Sequence, residues 1–295
     1  MVQQDLLSKS NVEVIASLGG MSVLQHKMDL STSSLSARKE YFCSQMNIQR
    51  KQVLLKLTGN SYCIQAGAMQ WMSGQVTMES GVKGVGGFLG KAVASAVTKE
   101  SVAKPIYSGN GEVMLEPTYR HILLTNVEDW GGQIVLDDGL FLACDASLQQ
   151  KIVARSNLSS AVFGKEGLFN LSLVGKGVLA LESIVPREEL IEIELKDDVM
   201  KIDGNMAIAW SGSLSFTVEK SGKSLLGSAV SGEGLVNVYR GTGKIWMAPV
   251  LSGGYSAGET VSTETAAKGQ TGTKAGKRDV GDAIDAVSGV LNLFK

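Results

Sequence analysis

Apolar and polar residues alternate along much of the chain in short runs that end at glycine. Residues 53–57 and 214–218 have the length and composition of β-strands, and residues 190–195 alternate apolar with acidic side chains. Such alternation is typical of a strand with one face in solvent. Residues 12–16 and 21–25 predict a hairpin around Gly19 and Gly20. The pattern therefore predicts a mostly β protein.

Two sets of positions recur at nearly the same interval. The first set is a glycine that begins a strand: Gly67, Gly139 and Gly204, which are 72 and 65 positions apart (139 − 67 and 204 − 139). The second set is a glutamate: Glu100, Glu166 and Glu233, which are 66 and 67 positions apart (166 − 100 and 233 − 166). We predict a threefold internal repeat of a small β unit around a pseudo-threefold axis, because two independent sets share one period.

Each repeat contains a Gly-x-Gly, at residues 109–111, 175–177 and 241–243. We predict a hairpin turn at each one, because glycine adopts positive φ without a steric penalty. The recurring glutamates have two interpretations. They form a ring of carboxylates that holds a cation, or each accepts backbone N–H bonds beside a glycine bend.

The composition changes along the chain and predicts its division. A Gly- and Ala-rich insertion around Phe88 and Leu89 is predicted to be helical, and a C-terminal stripe is predicted on a short amphipathic helix that docks to protein or membrane: Val280, Ile284, Val287, Leu291 and Phe294. The predicted divisions are an N-terminal addition (1–45), repeat 1 with the insertion (46–118), repeat 2 (119–185), repeat 3 (186–251), a flexible linker (252–278) and the helix (279–295).

The net charge and the cysteine content indicate where the protein is located and which classes of partner it binds. The formal net charge is −1, which gives no overall field to attract nucleic acid or an anionic membrane. No secretory signal is visible at residues 1–7, and no apolar run reaches about 18 residues. Cys43, Cys63 and Cys144 are interpreted as reduced, small apolar residues. We therefore expect a cytoplasmic protein.

Motifs that would indicate catalysis or a cofactor are absent from the sequence. Residues 84–91 are glycine-rich but do not match a phosphate-binding loop, since Ala92 stands where serine or threonine is needed. The histidines, His26 and His121, have no metal-ligand spacing. Aspartates such as Asp137 and Asp138 could pair for acid–base work, but they adjoin predicted turns. We predict no catalytic residue, no cofactor and no metal.

Several segments in order resemble one known family. They are residues 65–72, 86–90, 140–143, 164–169 and 232–235. The chain resembles the altered inheritance of mitochondria twenty-four family, formerly a domain of unknown function, over residues 47–249, and it is similar to bacterial members. The resemblance implies a fold like that of the tryptophan RNA-binding attenuation protein, in which the three repeats are β-sandwich-like units related by duplication. It transfers no catalytic residue, because the family has none agreed.

Together these features predict a non-enzymatic interaction or scaffold protein that binds a protein partner or forms a homo-oligomer. Two alternatives stay open. One is an RNA-binding or transcription-regulatory protein, by analogy of fold alone. The other is a membrane-associated organiser that uses the C-terminal helix.

Overall fold

A computed structural model describes residues 5–80, 104–154, 169–204, 206–220 and 235–250. The chain divides into two compact units, residues 1–255 and 256–295, and all described residues belong to the first. The described residues are mostly β. Their strands are β1 (Val12–Leu18), β2 (Met21–His26), β3 (Lys51–Ile64), β4 (Met69–Glu79), β5 (Ile106–Leu115), β6 (His121–Asn126), β7 (Gln133–Leu136), β8 (Phe141–Asp145), β9 (Gln149–Ala154), β10 (Phe169–Val174), β11 (Val178–Ser183), β12 (Ile191–Asp203), β13 (Ala207–Ser211), β14 (Ser215–Lys220) and β15 (Leu235–Met247).

Helical structure is limited among the described residues. The α-helix α1 spans Ala37–Gln45, and short 3₁₀ turns occur at Leu6–Ser8, Val127–Trp130 and Arg187–Glu189. The helix lies in the N-terminal addition, beyond the predicted hairpin, which is confirmed as the β1–β2 pair with Gly19 at φ 58° in its turn. The polar run before the helix contains no apolar periodicity, so the sequence pattern did not predict it.

The strands form two sheets in which the described pairings are antiparallel. The first sheet has the order β1-β2-β3-β8-β11-β6, and β5 pairs with both β3 and β4. The second has the order β12-β15-β13-β7-β10-β9, and β14 also pairs with β15. A mostly β fold is therefore confirmed.

Three consecutive segments share one order of pairing. In the first, β5 lies between β3 and β4. In the third, β15 lies between β12 and the successive strands β13 and β14. In the middle segment each strand is broken in two, so that β11 lies between β6 and β8 and β10 lies between β7 and β9. The last strand of each segment thus runs between the other two.

A β-bulge occurs at corresponding places in the three segments. The bulges lie between Met69 and Trp71, Phe141 and Ala143, and Ala207 and Ala209, and they oppose Leu115, Leu181 and Met247. Each follows a glycine with positive φ, namely Gly67 at 80°, Gly139 at 79° and Gly204 at 54°. The glycine reverses the chain and the extra residue bends the strand that follows.

The predicted Gly-x-Gly hairpins are wrong. Residues 109–111 lie inside β5 and residues 241–243 inside β15, while residues 175–177 join β10 to β11, which belong to different sheets. A continuous strand needs glycine here because its neighbour is very close. A Cβ atom on Gly109, whose φ is 128°, would come within 2.0 Å of the carbonyl oxygen of Gln75. The glycines therefore allow close strand approach and bending instead of chain reversal.

The core draws apolar side chains from both sheets. One buried cluster includes Leu173 of the second sheet together with Leu179 and Cys144 of the first. In the same cluster the rings of Trp130 and Trp246 meet edge to face, with centroids 4.8 Å apart. The two sheets are therefore held together by shared apolar packing, and the Cys144 side chain lies within it.

Candidate functional site: a buried thiol pair

Most residues singled out from the sequence lie outside the described part of the chain. These are Glu100, Glu166, Glu233, Phe88, Leu89, Ile284, Val287, Leu291 and Phe294. The described positions, Gly67, Gly139 and Gly204, each occupy the turn before a strand. Their role is therefore in the backbone, and the candidate chemistry lies elsewhere.

The candidate site lies where β3 of the first segment pairs with β8 of the second. The register sets Cys63 directly opposite Cys144, with Tyr62 opposite Asp145 on one side. Backbone hydrogen bonds flank the pair: Gln65 N–H donates to Leu142 O at 2.8 Å, and Ala146 N–H donates to Ser61 O at 3.0 Å. Residues directly opposite in a sheet project to the same face. The two thiols therefore lie side by side.

Both cysteines are free thiols and both are buried. A hydrogen bond between the two thiols lowers the pKa of Cys63. The same hydrogen bond, together with burial, raises the pKa of Cys144 well above its usual value. The Cys63 S–H itself points to the backbone of Lys104, with Sγ 3.9 Å from the carbonyl oxygen. The Nε2 atom of Gln150 also donates to Cys63 Sγ, at 3.0 Å. Cys63 is thus the thiol whose ionised form is stabilised.

A buried lysine adds positive charge beside this pair. Lys104 is only 5% exposed, and its Nζ atom donates to Gln65 Oε1 at 3.3 Å. The same Nζ lies 4.6 Å from the centroid of the Phe141 ring, which is a cation–π contact. Its charge is a further, smaller reason for the lowered pKa of Cys63. A thiol next to a second thiol and a cation has the environment of a nucleophile.

Buried polar residues occupy corresponding places in the other segments. Asn170 Nδ2 donates to Leu136 O at 2.9 Å, and Asn237 Nδ2 donates to Gly204 O at 2.8 Å. Asn170 therefore holds the end of β7, and Asn237 holds the turn glycine before β13. Lys104, two residues before β5, donates to the Gln65 side chain. Only in the first segment is this buried polar residue charged.

The sequence interpretation did not identify this site. It treated the cysteines as small apolar residues, and their burial agrees with that interpretation. Cys63 and Cys144 do not form a recognisable sequence motif, because only the long-range register of β3 and β8 brings them together.

The carboxylates considered for acid–base work are partly gathered in a cleft. Asp137, Asp138 and Glu182 line it together with Arg120. The Glu182 carboxylate accepts a hydrogen bond from Thr118 Oγ1. Within the described ranges, no group of three or more histidine, cysteine or acidic residues is arranged to hold a metal ion.

The N-terminal addition carries a series of exposed large apolar side chains, which we call the N-terminal apolar surface. Its members are Met28, Leu30, Leu35, Tyr41, Phe42, Met46 and Ile48. Leu35 is 96% exposed and Met46 is 74% exposed. Phe42 lies on α1, and Met46 is the residue that follows the helix. Exposed apolar residues grouped in this way indicate an interaction surface.

Three contacts hold Met28 and Asp29, at the start of this surface, against residues that adjoin the first sheet. Asn11 exchanges hydrogen bonds with the backbone of Met28, at 2.8 and 3.1 Å. Tyr119 Oη donates to Asp29 Oδ2 at 2.7 Å, and this raises the pKa of Tyr119 to about 12. Arg50 Nε lies 3.0 Å from Asp29 Oδ1, an ion pair by distance although not an aligned hydrogen bond.

The fold and these sites define a mostly β protein of two sheets that share a core. The profile of the family described as "Mitochondrial biogenesis AIM24" matches residues 44–250, and the chain therefore belongs to this family. The family resemblance seen in the sequence is thus confirmed.

Two bacterial proteins are similar to this chain. An uncharacterized protein of Streptococcus pyogenes serotype M6 is 32% identical over 196 residues, which cover 64% of this chain and 77% of that protein. The X-ray crystal structure of a Streptococcus pyogenes protein has a TM-score of 0.51 and 29% identity, covering 68% of this chain and 88% of that one. The chain is therefore a bacterial-type member of the family. Among the described residues, no helix has the length and apolar character needed to cross a membrane.

Proposed function

We propose that this protein is a non-enzymatic scaffold that self-associates through the N-terminal apolar surface. The observation that carries the proposal is the exposure of grouped aromatic, methionine and leucine side chains on and around α1. These residue types are enriched where proteins meet one another. Their burial against a second copy removes apolar area from water, at roughly 25 cal/mol per Å².

The surroundings of this surface also support a docking role. The rings of Tyr41 and Phe42 are 5.5 Å apart and nearly perpendicular, so they present a preformed pair of aromatic edges. The contacts of Asn11 and Tyr119 hold the preceding residues in place. A surface that is ordered before binding loses less conformational entropy when a partner arrives.

We further propose that the three segments are internal repeats around a pseudo-threefold axis, as in the tryptophan RNA-binding attenuation protein. The shared pairing order and the three corresponding bulges support this arrangement. The residues opposite the bulges, Leu115, Leu181 and Met247, recur at equal spacing along the chain, which also favours duplication of one unit. We propose a cytoplasmic location as well, because three free thiols suit a reducing compartment.

The test compares two double variants by light scattering after size exclusion, over a range of protein concentrations. Phe42→Ser with Met46→Ser replaces two exposed apolar side chains of the N-terminal apolar surface with polar ones. Met72→Ser with Met78→Ser is the matched control, because these two methionines are also exposed but lie on β4. We expect the wild type and the control to form oligomers and the first variant to have the mass of one chain.

A wild-type protein with the mass of one chain at every concentration would contradict self-association. If oligomers persist in the first variant and dissociate in the control, the interface lies on β4 and not on the N-terminal apolar surface. Co-sedimentation of the wild type with neutral phospholipid vesicles, lost in the first variant, would instead indicate a membrane partner.

A further inference from the structure

We propose that Cys63 and Cys144 form a reversible redox site, which closes to an intramolecular disulfide when hydrogen peroxide is the oxidant. The site is separate from the N-terminal apolar surface, and the proposal does not depend on self-association. It rests on the register of β3 and β8 and on the groups that surround the two sulfurs.

The backbone geometry suits a disulfide. The pairs Gln65–Leu142 and Ser61–Ala146 are hydrogen-bonded, and hydrogen-bonded and non-hydrogen-bonded pairs alternate along antiparallel strands. Cys63 and Cys144 therefore occupy a hydrogen-bonded pair, in which Cα atoms are about 5.5 Å apart. Disulfides span Cα distances of about 4.4–6.8 Å, so the Cα separation of such a pair lies within the range that a bridge requires.

The surrounding side chains give the two thiols different roles. Cys63 accepts a hydrogen bond from Gln150 Nε2, donates to the Lys104 carbonyl oxygen, is hydrogen-bonded to the Cys144 thiol and lies near the Lys104 charge. Cys144 is fully buried, and its pKa is raised well above its usual value. The Gln150 side chain that contacts Cys63 is itself exposed, so of the two buried sulfurs Cys63 is in contact with a residue that reaches the surface. Cys63 is therefore the attacking thiol and Cys144 the resolving thiol.

The chemistry balances with one peroxide per chain. The Cys63 sulfur attacks one peroxide oxygen, so that an S–O bond forms and the O–O bond breaks. The departing hydroxide takes the Cys63 proton and leaves as water. The Cys144 sulfur then attacks Cys63, the S–S bond forms and the S–O bond breaks, and the second water carries away the Cys144 proton. Two thiols lose two electrons in total, and a dithiol reductant returns them by exchange.

The third cysteine provides an internal comparison. Cys43 lies on α1 and is only partly buried, so simple accessibility favours oxidation at Cys43. An oxidation that occurs instead at the buried pair requires the assistance of their neighbours. The relative reactivity of the three thiols therefore distinguishes a built site from random damage.

The experiment uses the full chain with Cys43→Ser, reduced and then treated with one equivalent of hydrogen peroxide. Alkylation after denaturation, followed by peptide mass spectrometry, measures each thiol and the Cys63–Cys144 crosslink. We expect loss of both thiols together, a crosslinked peptide pair and full recovery with dithiothreitol. In Cys144→Ala we expect a sulfenic acid at Cys63 that dimedone traps, and in Cys63→Ala we expect Cys144 to stay reduced.

Separate measurements keep the result independent of variant folding. The crosslink is quantified first in the protein with native Cys63 and Cys144, and the circular dichroism of each variant is compared with it. Peroxide that oxidises only Cys43 in the native sequence, with both buried thiols still alkylated, would overturn the proposal. So would a crosslink that appears at the same rate in urea-unfolded chain, because the folded environment would then contribute nothing.

Discussion

Two junctions join the three segments, and they use the same backbone arrangement with different side chains. At the first, between β3 and β8, Gln65 N–H donates to Leu142 O and Ala146 N–H donates to Ser61 O. At the second, between β7 and β13, Asp137 N–H donates to Ile208 O at 2.9 Å and Gly212 N–H donates to Gln133 O at 2.9 Å. Each junction therefore has a central residue pair enclosed by two backbone hydrogen bonds.

The central pairs differ in chemistry. The first junction has Cys63 opposite Cys144, and the second has Val135 opposite Trp210. The Trp210 ring stacks on Phe216, with centroids 5.5 Å apart and an interplanar angle of 24°, and meets Tyr239 at 5.4 Å. The two junctions therefore share their backbone hydrogen bonds and differ in their side chains. The aromatic side chains contribute to stability at the second junction, and the thiols provide the proposed reactivity at the first.

The largest expected effect is at the aromatic junction. Trp210→Ala removes a buried ring that touches two other aromatic rings, and we expect the free energy of unfolding to fall by about 3–5 kcal/mol. Urea unfolding followed by circular dichroism measures it. Val199→Ala on β12, at an exposed position, is the control and should change stability by less than about 0.5 kcal/mol. Equal losses in the two variants would show that the ring does not support the junction.

The glycines beside the two junctions give the second test. Gly109→Ala on β5 places a Cβ atom 2.0 Å from Gln75 O, whereas Gly241→Ala on β15 has its nearest neighbour at 3.8 Å. Both glycines have positive φ, so backbone strain is common to both. We expect Gly109→Ala to destabilise by about 2–4 kcal/mol and Gly241→Ala by about 1–2 kcal/mol. Melting temperatures that fall equally would mean that strain, and not strand approach, explains the glycines.

A third test replaces one thiol of the first junction with an apolar side chain. Cys63→Val, in reducing buffer, removes the sulfur that Gln150 Nε2 contacts, and we expect a loss of about 1 kcal/mol. Adding Gln150→Leu to this variant also removes the side-chain amide that has lost the Cys63 sulfur as its partner. A double-mutant cycle should therefore give a coupling energy of about 0.5 kcal/mol or more. Strict additivity in urea unfolding would indicate that the amide and the sulfur do not stabilise each other.

The smallest effect concerns the charge beside the thiol junction. Burial raises the pKa of Asp145, although the Val178 N–H at 2.8 Å opposes that shift. The native state then holds a proton more tightly than the unfolded state, so the contribution of Asp145 to stability is present at low pH and is lost as pH rises through the folded pKa.

Asp145→Asn removes this pH dependence and keeps an acceptor for Val178. Relative to wild type, the variant should gain up to about 1 kcal/mol between about pH 3 and about pH 6. Urea unfolding across that range measures the difference, and Asp203→Asn on β12 controls for the loss of one negative charge. A difference that stays constant with pH would contradict an effect of Asp145 titration.

The features that could be predicted are those encoded by adjacent residues. The glycines Gly67, Gly139 and Gly204 can be identified because they recur at nearly the same interval, each just before a short apolar run, and in the structure each has positive φ. The Gly-x-Gly segments were misread, because an apolar run on each side fits both a hairpin and one bent strand. Which of the two forms depends on the neighbouring strand, as the contact between Gly109 and Gln75 shows. No residue near Gly109 in sequence carries that information.

The thiol pair could not be predicted for a related reason. Its two members meet only through the pairing of strands in different segments, and either cysteine alone is typical of a core. The buried Lys104 has the same property, since its partners Gln65 and Phe141 lie far from it in sequence. Sites of this kind depend on register, which a single sequence specifies only through the whole fold.

The pairing order within each segment has a consequence for the synthesis of the chain. The first strand pairs with the third, so Leu57 must wait for Gly111 before it gains that neighbour. At a translation rate of about 5–20 residues per second, this delay lasts roughly 3–10 s. During that interval β3 presents apolar residues and unpaired backbone groups to other nascent chains. The protein should therefore depend on co-translational protection at each segment in turn, and faster initiation on one message should increase its aggregation.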